Sequence, residues 1–409
     1  MCDVFMIVVD IYLFLEDSIV CVVVMSFVVR RGRIVSVGRV VEDGYIFVKN
    51  GVVVEVGREP FSGFADEVVD AEGMVVLPGF IDTHTHGIYG LDFTVDRDPY
   101  RVLEIAKYYA RHGVTSFVVT TVTAPLEVLE DVCKTVSEAM EMWRGEGSKI
   151  LGIHLEGPYI NPVAAGAQNK AYIRSPDLEE FKKLLNSCRG IVKQITLAPE
   201  LPNADKLIEY ARSRGITVSA GHTNASYEEG LKAVELGVTK ATHLFNGMTR
   251  FHHREPGIAL ALLQSPNVYL EVIADFVHLH PAVVKMVIDY ATPKRVVLVT
   301  DSIAATDMPD GVYELGGLKV VVEKGVCRLV DTGGLAGSTL TMDRVVKNIL
   351  SLGYTFRDVV YMASSTPAKS IGLDKLGDID VGYYADLVIV DEKLNIVKTI
   401  INGKIVYEK

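Results

Sequence analysis

The sequence predicts an α/β protein: a (β/α)8, TIM-like barrel carrying a small β-sandwich domain made from both ends of the chain. Three observations predict it. Eight short apolar runs recur through the middle of the 409 residues, with amphipathic stretches between most of them, the alternation that gives parallel strands and crossover helices. β-rich segments carrying Asn-Gly turns occupy the two ends. One after another, the apolar runs finish in an imidazole or a carboxylate.

Residues 1–24 are apolar but hold Asp3, Asp10, Glu16 and Asp17, with no basic start and no uninterrupted apolar span; they read as neither signal peptide nor membrane helix. Met25 opens a segment that reads as the start of a folded domain, so residues 1–24 are expected to be an extension and Met25 the natural start. Within YIFVKNGVVVEVG, β-branched runs flank Asn50-Gly51, a pair that tolerates the positive φ of a type I′ hairpin turn. The C-terminal stretch repeats this pattern around Asn402-Gly403. Residues 25–77 and 377–409 are therefore expected to form one small β domain, and residues 78–376 the barrel. Its strands are expected in VVLPGFIDTHTH, VTSFVVTTVT, ILGIHLEGP, QITLAPE, ITVSAGHT, TKATHLFN, VYLEVIADFVH and RVVLVTDS. PLEVLEDVCKTVSEAMEMW and SYEEGLKAVELG are two of the intervening helices.

With 49% hydrophobic and 23% charged residues, the chain can bury a sizeable core and is too charged for a polytopic membrane protein. A net charge of −11 argues against nucleic acid as a partner. It leaves room for a small phosphorylated ligand, which needs one or two local donors. The five cysteines are dispersed and form no CxxC pair, which predicts a reducing, cytoplasmic setting without disulfides.

In such a barrel, function sits at the C-terminal ends of the strands. His84 and His86, two apart, lie on one strand face and can chelate one ion; alone, the pattern equally fits two polar residues at a strand–loop boundary. Glu156, His222 and His243 end three further strands. Two neutral imidazoles and a carboxylate leave an open position for water on zinc or a similar ion, although each residue singly reads as a core histidine or an ion-paired glutamate. Asp301, after VVLVT, is placed to act as general base and then general acid; the alternative is a helix-capping aspartate. His154 reads equally as ligand or support. His112 reads as a surface or C-cap residue and His280 as a helix-entry residue. GGLAGST lacks the lysine of a phosphate loop and reads as a tight loop that admits a ligand close to backbone.

PGFIDTHTHG followed by HLEGPYINP is similar to the amidohydrolase superfamily. Within it, GAQN, AGHTNA, THLFNGM, HHREPG, IADFVHLH, DSIAATDMPDG and LAGSTLTM, in this order, resemble the N-acetylglucosamine-6-phosphate deacetylases from about Met25 to the C-terminus. The resemblance implies metal ligation by Glu156, His222 and His243, with His84 and His86 able to add a second ion, and catalysis by Asp301. The cofactor it implies is a divalent metal (zinc, iron, manganese or cobalt), one or two per subunit. It implies sugar-phosphate contacts from Asn246, Gly247 and His278, and sugar contacts from Ala167, Leu335 and Ala336. Gln168 stands where some members carry a histidine that polarises the acetyl carbonyl. Arg254 matches an arginine that reaches the phosphate of the neighbouring subunit in a homodimer. The implied reaction is deacetylation of a phosphorylated amino sugar, with no nucleic-acid or membrane partner. Two rivals stand beside this reading. A different amidohydrolase would favour a modified lysine on the fourth strand, where QITLAPE ends instead in Glu200. A catalytically silent barrel would hold no metal.

Overall fold

The structure is a computed structural model; it describes residues 25–409 and, ahead of them, the backbone of two short paired strands, Tyr12–Leu15 and Ser18–Cys21. The extension expected ahead of Met25 falls outside the fully described residues.

All eight expected barrel strands form. In chain order they are Phe80–Thr85, Val114–Thr121, Lys149–Glu156, Val192–Leu197, Thr217–Ala220, Lys240–Ala241, Tyr269–Ile273 and Val296–Val299. Each pairs in parallel with the next. The ring closes between the eighth and the first, where Asp301 N–H donates to His84 O at 2.9 Å and His86 N–H to Ser302 O at 2.8 Å. The strands are buried along nearly their whole length, as parallel strands covered on both faces must be. Helices Leu126–Met142 and Tyr227–Leu236 form as expected. The second is started by a reciprocal cap: Ser226 accepts from Glu229 N–H while the Glu229 carboxylate accepts from Ser226 N–H.

The run VVLPGFIDTHTH divides at Gly79. Val75–Pro78 leaves the barrel and pairs antiparallel with Leu387–Val390, joining the chain ends in a second eight-stranded sheet. Gly79 permits the division because a Cβ there would lie 2.1 Å from Thr115. The predicted turns are present: Asn50 and Gly51 take φ of 49° and 75°, Asn402 and Gly403 51° and 73°. Phe27, Ile46, Val76, Leu387 and Ile400 are among the buried side chains of this sheet's own core. A three-stranded antiparallel sheet, Gly311–Leu315, Leu318–Glu323 and Val326–Leu329, was not foreseen. It packs through Leu315, Val320 and Val322 on Val122 and Ile303 beside the barrel mouth.

Two expectations are corrected. Cys133 and Cys188 form a disulfide, with an S–S distance of 2.01 Å. Cys133 lies in helix Leu126–Met142 and Cys188 closes helix Leu178–Ser187, so neighbouring helices of the outer layer are joined. The pairing is set by helix packing and leaves no spacing motif, and the cysteines therefore give no support to a reducing compartment. His112 is no simple surface residue. Its Nε2 lies 2.7 Å from Asp307 and its Nδ1 2.9 Å from Asp343, tying the segment after the eighth barrel strand to the start of helix Met342–Ser351. His280 does enter a helix, accepting from Ala282 N–H at the start of Pro281–Ala291. Among the described residues no helix is long and apolar enough to cross a membrane.

Candidate active site

The site is assembled where the strands end. His84 and His86 leave the first barrel strand, Glu156 ends the third, His222 and His243 follow the fifth and sixth, and Asp301 follows the eighth. His222, His243 and Asp301 take positive φ, 48°, 30° and 52°, a region that non-glycine residues occupy rarely and at a cost. The chain thus turns sharply at each strand end, and the three side chains meet over the barrel.

Glu156 is central. Its Oε1 lies 3.1 Å from the Nε2 atoms of both His222 and His243, which are 3.2 Å apart. Its two oxygens also lie 3.3 Å from His84 Nε2 and 3.4 Å from His86 Nε2. Asp301 Oδ1 faces the same pair at 3.4 and 3.1 Å. Two sets of three ligand atoms result: Glu156, His222 and His243; and His84, His86 and Asp301. All four imidazoles share one arrangement. Their Nδ1 atoms are engaged by Glu271, Thr120 O, Ala164 O and Asn246 O for His84, His86, His222 and His243 respectively. With the proton held on Nδ1, each Nε2 lone pair is free for a metal.

The residues fit a divalent cation. His84 Nε2 is buried and makes no hydrogen bond, an expensive state for a polar atom unless it faces a ligand. The charge balance agrees. Burial pushes the Glu156 carboxyl up, yet His84, His222 and His243 hold it well below the usual carboxylate range. Burial likewise pushes Asp301 up, and His84 and His86 bring it below its ordinary value. Burial would lower His86, but Asp301 and Glu156 overcome that and push it up to about 9. Two buried anions therefore demand positive charge at this point, from protons or from a metal.

A cavity of about 300 Å³ opens onto these ligands. Ala167, Asn246, Gly247, His278 and Leu335 line it, together with Gly334 and Gly337 of the small-residue loop. Ala336 is fully buried in the core beneath that loop and does not line the cavity. Gln168 lines it, but its amide is already engaged: Nε2 donates to Glu156 at 2.6 Å and Oε1 accepts from Thr123 N–H at 2.6 Å. Asp275 holds His278, contacting Nδ1 at 2.7 Å and accepting from the backbone N–H groups of Val277 and His278. Arg254 stands apart on an exposed loop, its Nη1 2.8 Å from His253 Nε2.

Several participants escaped the sequence reading. Glu271, Lys240 and Gln194 form a buried polar layer beneath the ligands. Glu200, first noted only as a strand end, accepts from Asn161, Thr223 and Asn224 and so pins the turn that carries His222. His154 belongs to support: its Nε2 lies 2.7 Å from Thr196 Oγ1, and burial and the charge of His84 hold it well below its ordinary value. The available signal was a carboxylate inside an apolar run: Glu271 sits between Leu270 and Val272 on its barrel strand.

A family model described as Amidohydrolase family matches residues 75–406. The N-acetylglucosamine-6-phosphate deacetylase of Bacillus subtilis (strain 168) is 36% identical over 391 residues, covering 93% of this chain and 97% of that protein. An N-acetylgalactosamine-6-phosphate deacetylase of Escherichia coli O157:H7 is 34% identical over 383 residues, covering 93% and 99%. The solved structure of a mutant N-acetyl-D-glucosamine-6-phosphate deacetylase from Mycobacterium smegmatis, in complex with N-acetyl-D-glucosamine-6-phosphate, superposes with a TM-score of 0.87 at 32% identity, covering 94% of this chain and 99% of that one. With the barrel, the histidine and carboxylate cluster and these likenesses together, the chain belongs to the metal-dependent amidohydrolase family, in the branch of the N-acetylglucosamine-6-phosphate deacetylases.

Proposed function

We propose that this protein hydrolyses N-acetylglucosamine 6-phosphate to glucosamine 6-phosphate and acetate, in the breakdown of amino sugars. The observation that carries the reading is the convergence of four Nδ1-anchored imidazoles on the Glu156 carboxylate, with Asp301 beside His84 and His86 in the lining of the same small cavity. Glu156, His222 and His243 would hold a divalent ion, zinc, iron, manganese or cobalt, and His84, His86 and Asp301 offer a second position. Such an ion supplies Lewis acidity and a water of lowered pKa.

The chain's own residues do the rest. Asp301, anionic and facing the ligand centre, takes the proton of the attacking water and returns it to the nitrogen as the C–N bond breaks. His278, fixed by Asp275, presents its Nε2 to the substrate. Asn246 and Gly247 line the same wall, and Ala167 and Leu335 close over the sugar. Gln168 steadies Glu156 rather than polarising the acetyl group. Among the described residues none that lines the cavity is a lysine or arginine, so a phosphate dianion needs a cation from elsewhere. Arg254, exposed on its loop, supplies it from the second subunit of a homodimer. Phosphorylated sugars place the reaction in the cytoplasm.

Acetate release from N-acetylglucosamine 6-phosphate, N-acetylgalactosamine 6-phosphate and unphosphorylated N-acetylglucosamine tests the reading. Release fastest from the first supports it, and a preference for the second transfers the activity to the galactose epimer. No release from any of them by metal-replete protein refutes it. Light scattering at working concentration tests the dimer, and a monomer of full activity removes the role given to Arg254.

A further inference from the structure

The barrel interior beneath the ligand layer is polar, where such interiors are ordinarily filled by branched apolar side chains. Lys240, on the two-residue sixth strand, is fully buried. Its Nζ meets three acceptors: Thr83 Oγ1 at 2.9 Å, Gln194 Oε1 at 2.8 Å and Glu271 Oε1 at 2.9 Å. Gln194 Nε2 also donates to Glu271 Oε1, at 3.1 Å. The other oxygen, Glu271 Oε2, lies 2.9 Å from His84 Nδ1 and accepts from His243 N–H at 3.3 Å. We infer that Glu271 and Lys240 are positioning residues that hold His84 with its proton on Nδ1, and so make the His84, His86 and Asp301 group able to take a second divalent ion. This inference rests on the metal-dependent reading given above.

The argument is one of contrast. His86, His222 and His243 are each oriented by a backbone carbonyl, which the fold fixes without further help. His84 alone relies on a side chain. A carboxylate in that place orients the ring and makes it a stronger ligand than a carbonyl can. A carboxylate buried that deeply requires a counter-charge, and Lys240 provides it. Oε1 is thus committed to two donors, and only Oε2 is left for His84.

This commitment makes Glu271→Gln an informative variant. The glutamine oxygen must face Lys240 and Gln194, so its NH2 group faces His84 Nδ1. That nitrogen must then accept, the proton moves to Nε2, and the ligand position is closed. Lys240→Met/Glu271→Gln buries no charge and relaxes the constraint, although a neutral amide remains the poorer partner.

Metal-free wild type and both variants are titrated with Co(II) against a competing chelator, with the melting temperature of the metal-free proteins as the fold control. Wild type is expected to take two equivalents. Glu271→Gln should keep the first and bind the second about 10- to 100-fold more weakly. The double variant should fall between, at least about threefold short of wild type. Two ions bound by Glu271→Gln as tightly as by wild type overturn the inference. So does a wild type that takes one ion only, or a folded Glu271→Gln that weakens both ions alike. If Glu271→Gln does not fold, second-ion affinity in the double variant equal to wild type overturns it. A wild type that binds no Co(II) refutes instead the metal-dependent reading on which the inference rests.

Discussion

Cutting the Cys133–Cys188 bond should weaken the fold and leave the barrel mouth untouched. The two residues are 55 apart in sequence, so cleavage returns a loop of that length to the unfolded chain. Loop-closure entropy for it is about 14 cal/mol/K, or about 4 kcal/mol at 25 °C. An unfolding entropy of about 2.1 cal/mol/K per residue over roughly 385 described residues turns this into a fall in Tm of about 5 °C. Calorimetry of the wild type with and without a phosphine reductant measures the shift. Cys133→Ala/Cys188→Ala should show no response to the reductant. Alkylation of unfolded, unreduced protein followed by mass spectrometry counts the free thiols directly. Acetate release by reduced enzyme, measured well below Tm, should equal that of the oxidised enzyme, because neither cysteine lines the cavity. Free thiols at both positions, or a Tm indifferent to reductant, would refute the reasoning.

Asp301→Asn should keep metal and fold but lose about 10²- to 10⁴-fold in kcat, measured as acetate release; near-wild-type turnover removes its role as acid and base. His222→Ala takes one of three ligands from the Glu156 group and should lower bound metal at least about tenfold in chelator competition, with kcat falling in parallel; unchanged metal content contradicts the ligand set. The His112 bridge carries a pH signature. Burial would lower its imidazole, but Asp307 and Asp343 overcome that and push it up to about 9. A folded value above the unfolded one stabilises fully below pH about 6.5 and ceases to do so as pH rises through about 9. His112→Gln should therefore be less stable than wild type by up to about 3 kcal/mol below pH about 6.5, with the gap closing by pH about 10. Urea midpoints across that range decide it, and a constant gap counts against the charged bridge.

The barrel could be read from the chain because its strands are apolar throughout and end abruptly in ligand residues, a contrast that one sequence displays. The candidate cluster could be read for the same reason: His84, His86, Glu156, His222, His243 and Asp301 each stand at such an end, and the fold brings them together. What lies one layer deeper could not. Lys240 opens a strand of only two residues, where a lysine reads as a solvated strand start. Its partners Gln194 and Glu271 come from strands 46 and 31 residues away in either direction, a proximity that only barrel closure creates. Gln168 was seen as a cavity residue, but the partner that takes its amide depends on the loop path. The three-stranded sheet beside the mouth has strands of four to six residues, too short for a periodic signal to separate from a loop.

The pairing of Val75–Pro78 with Leu387–Val390 has a consequence for synthesis. Everything needed to close the barrel has left the ribosome while the sheet that joins the chain ends still lacks its final strands. Phe27, Ile46 and Val76, which pack on Leu387 and Ile400 in the finished protein, must then wait with their apolar faces uncovered until residues 387–408 are released. The time between barrel closure and the emergence of residues 387–408 is thus the interval of greatest exposure to misassociation, and slow translation of that stretch lengthens it.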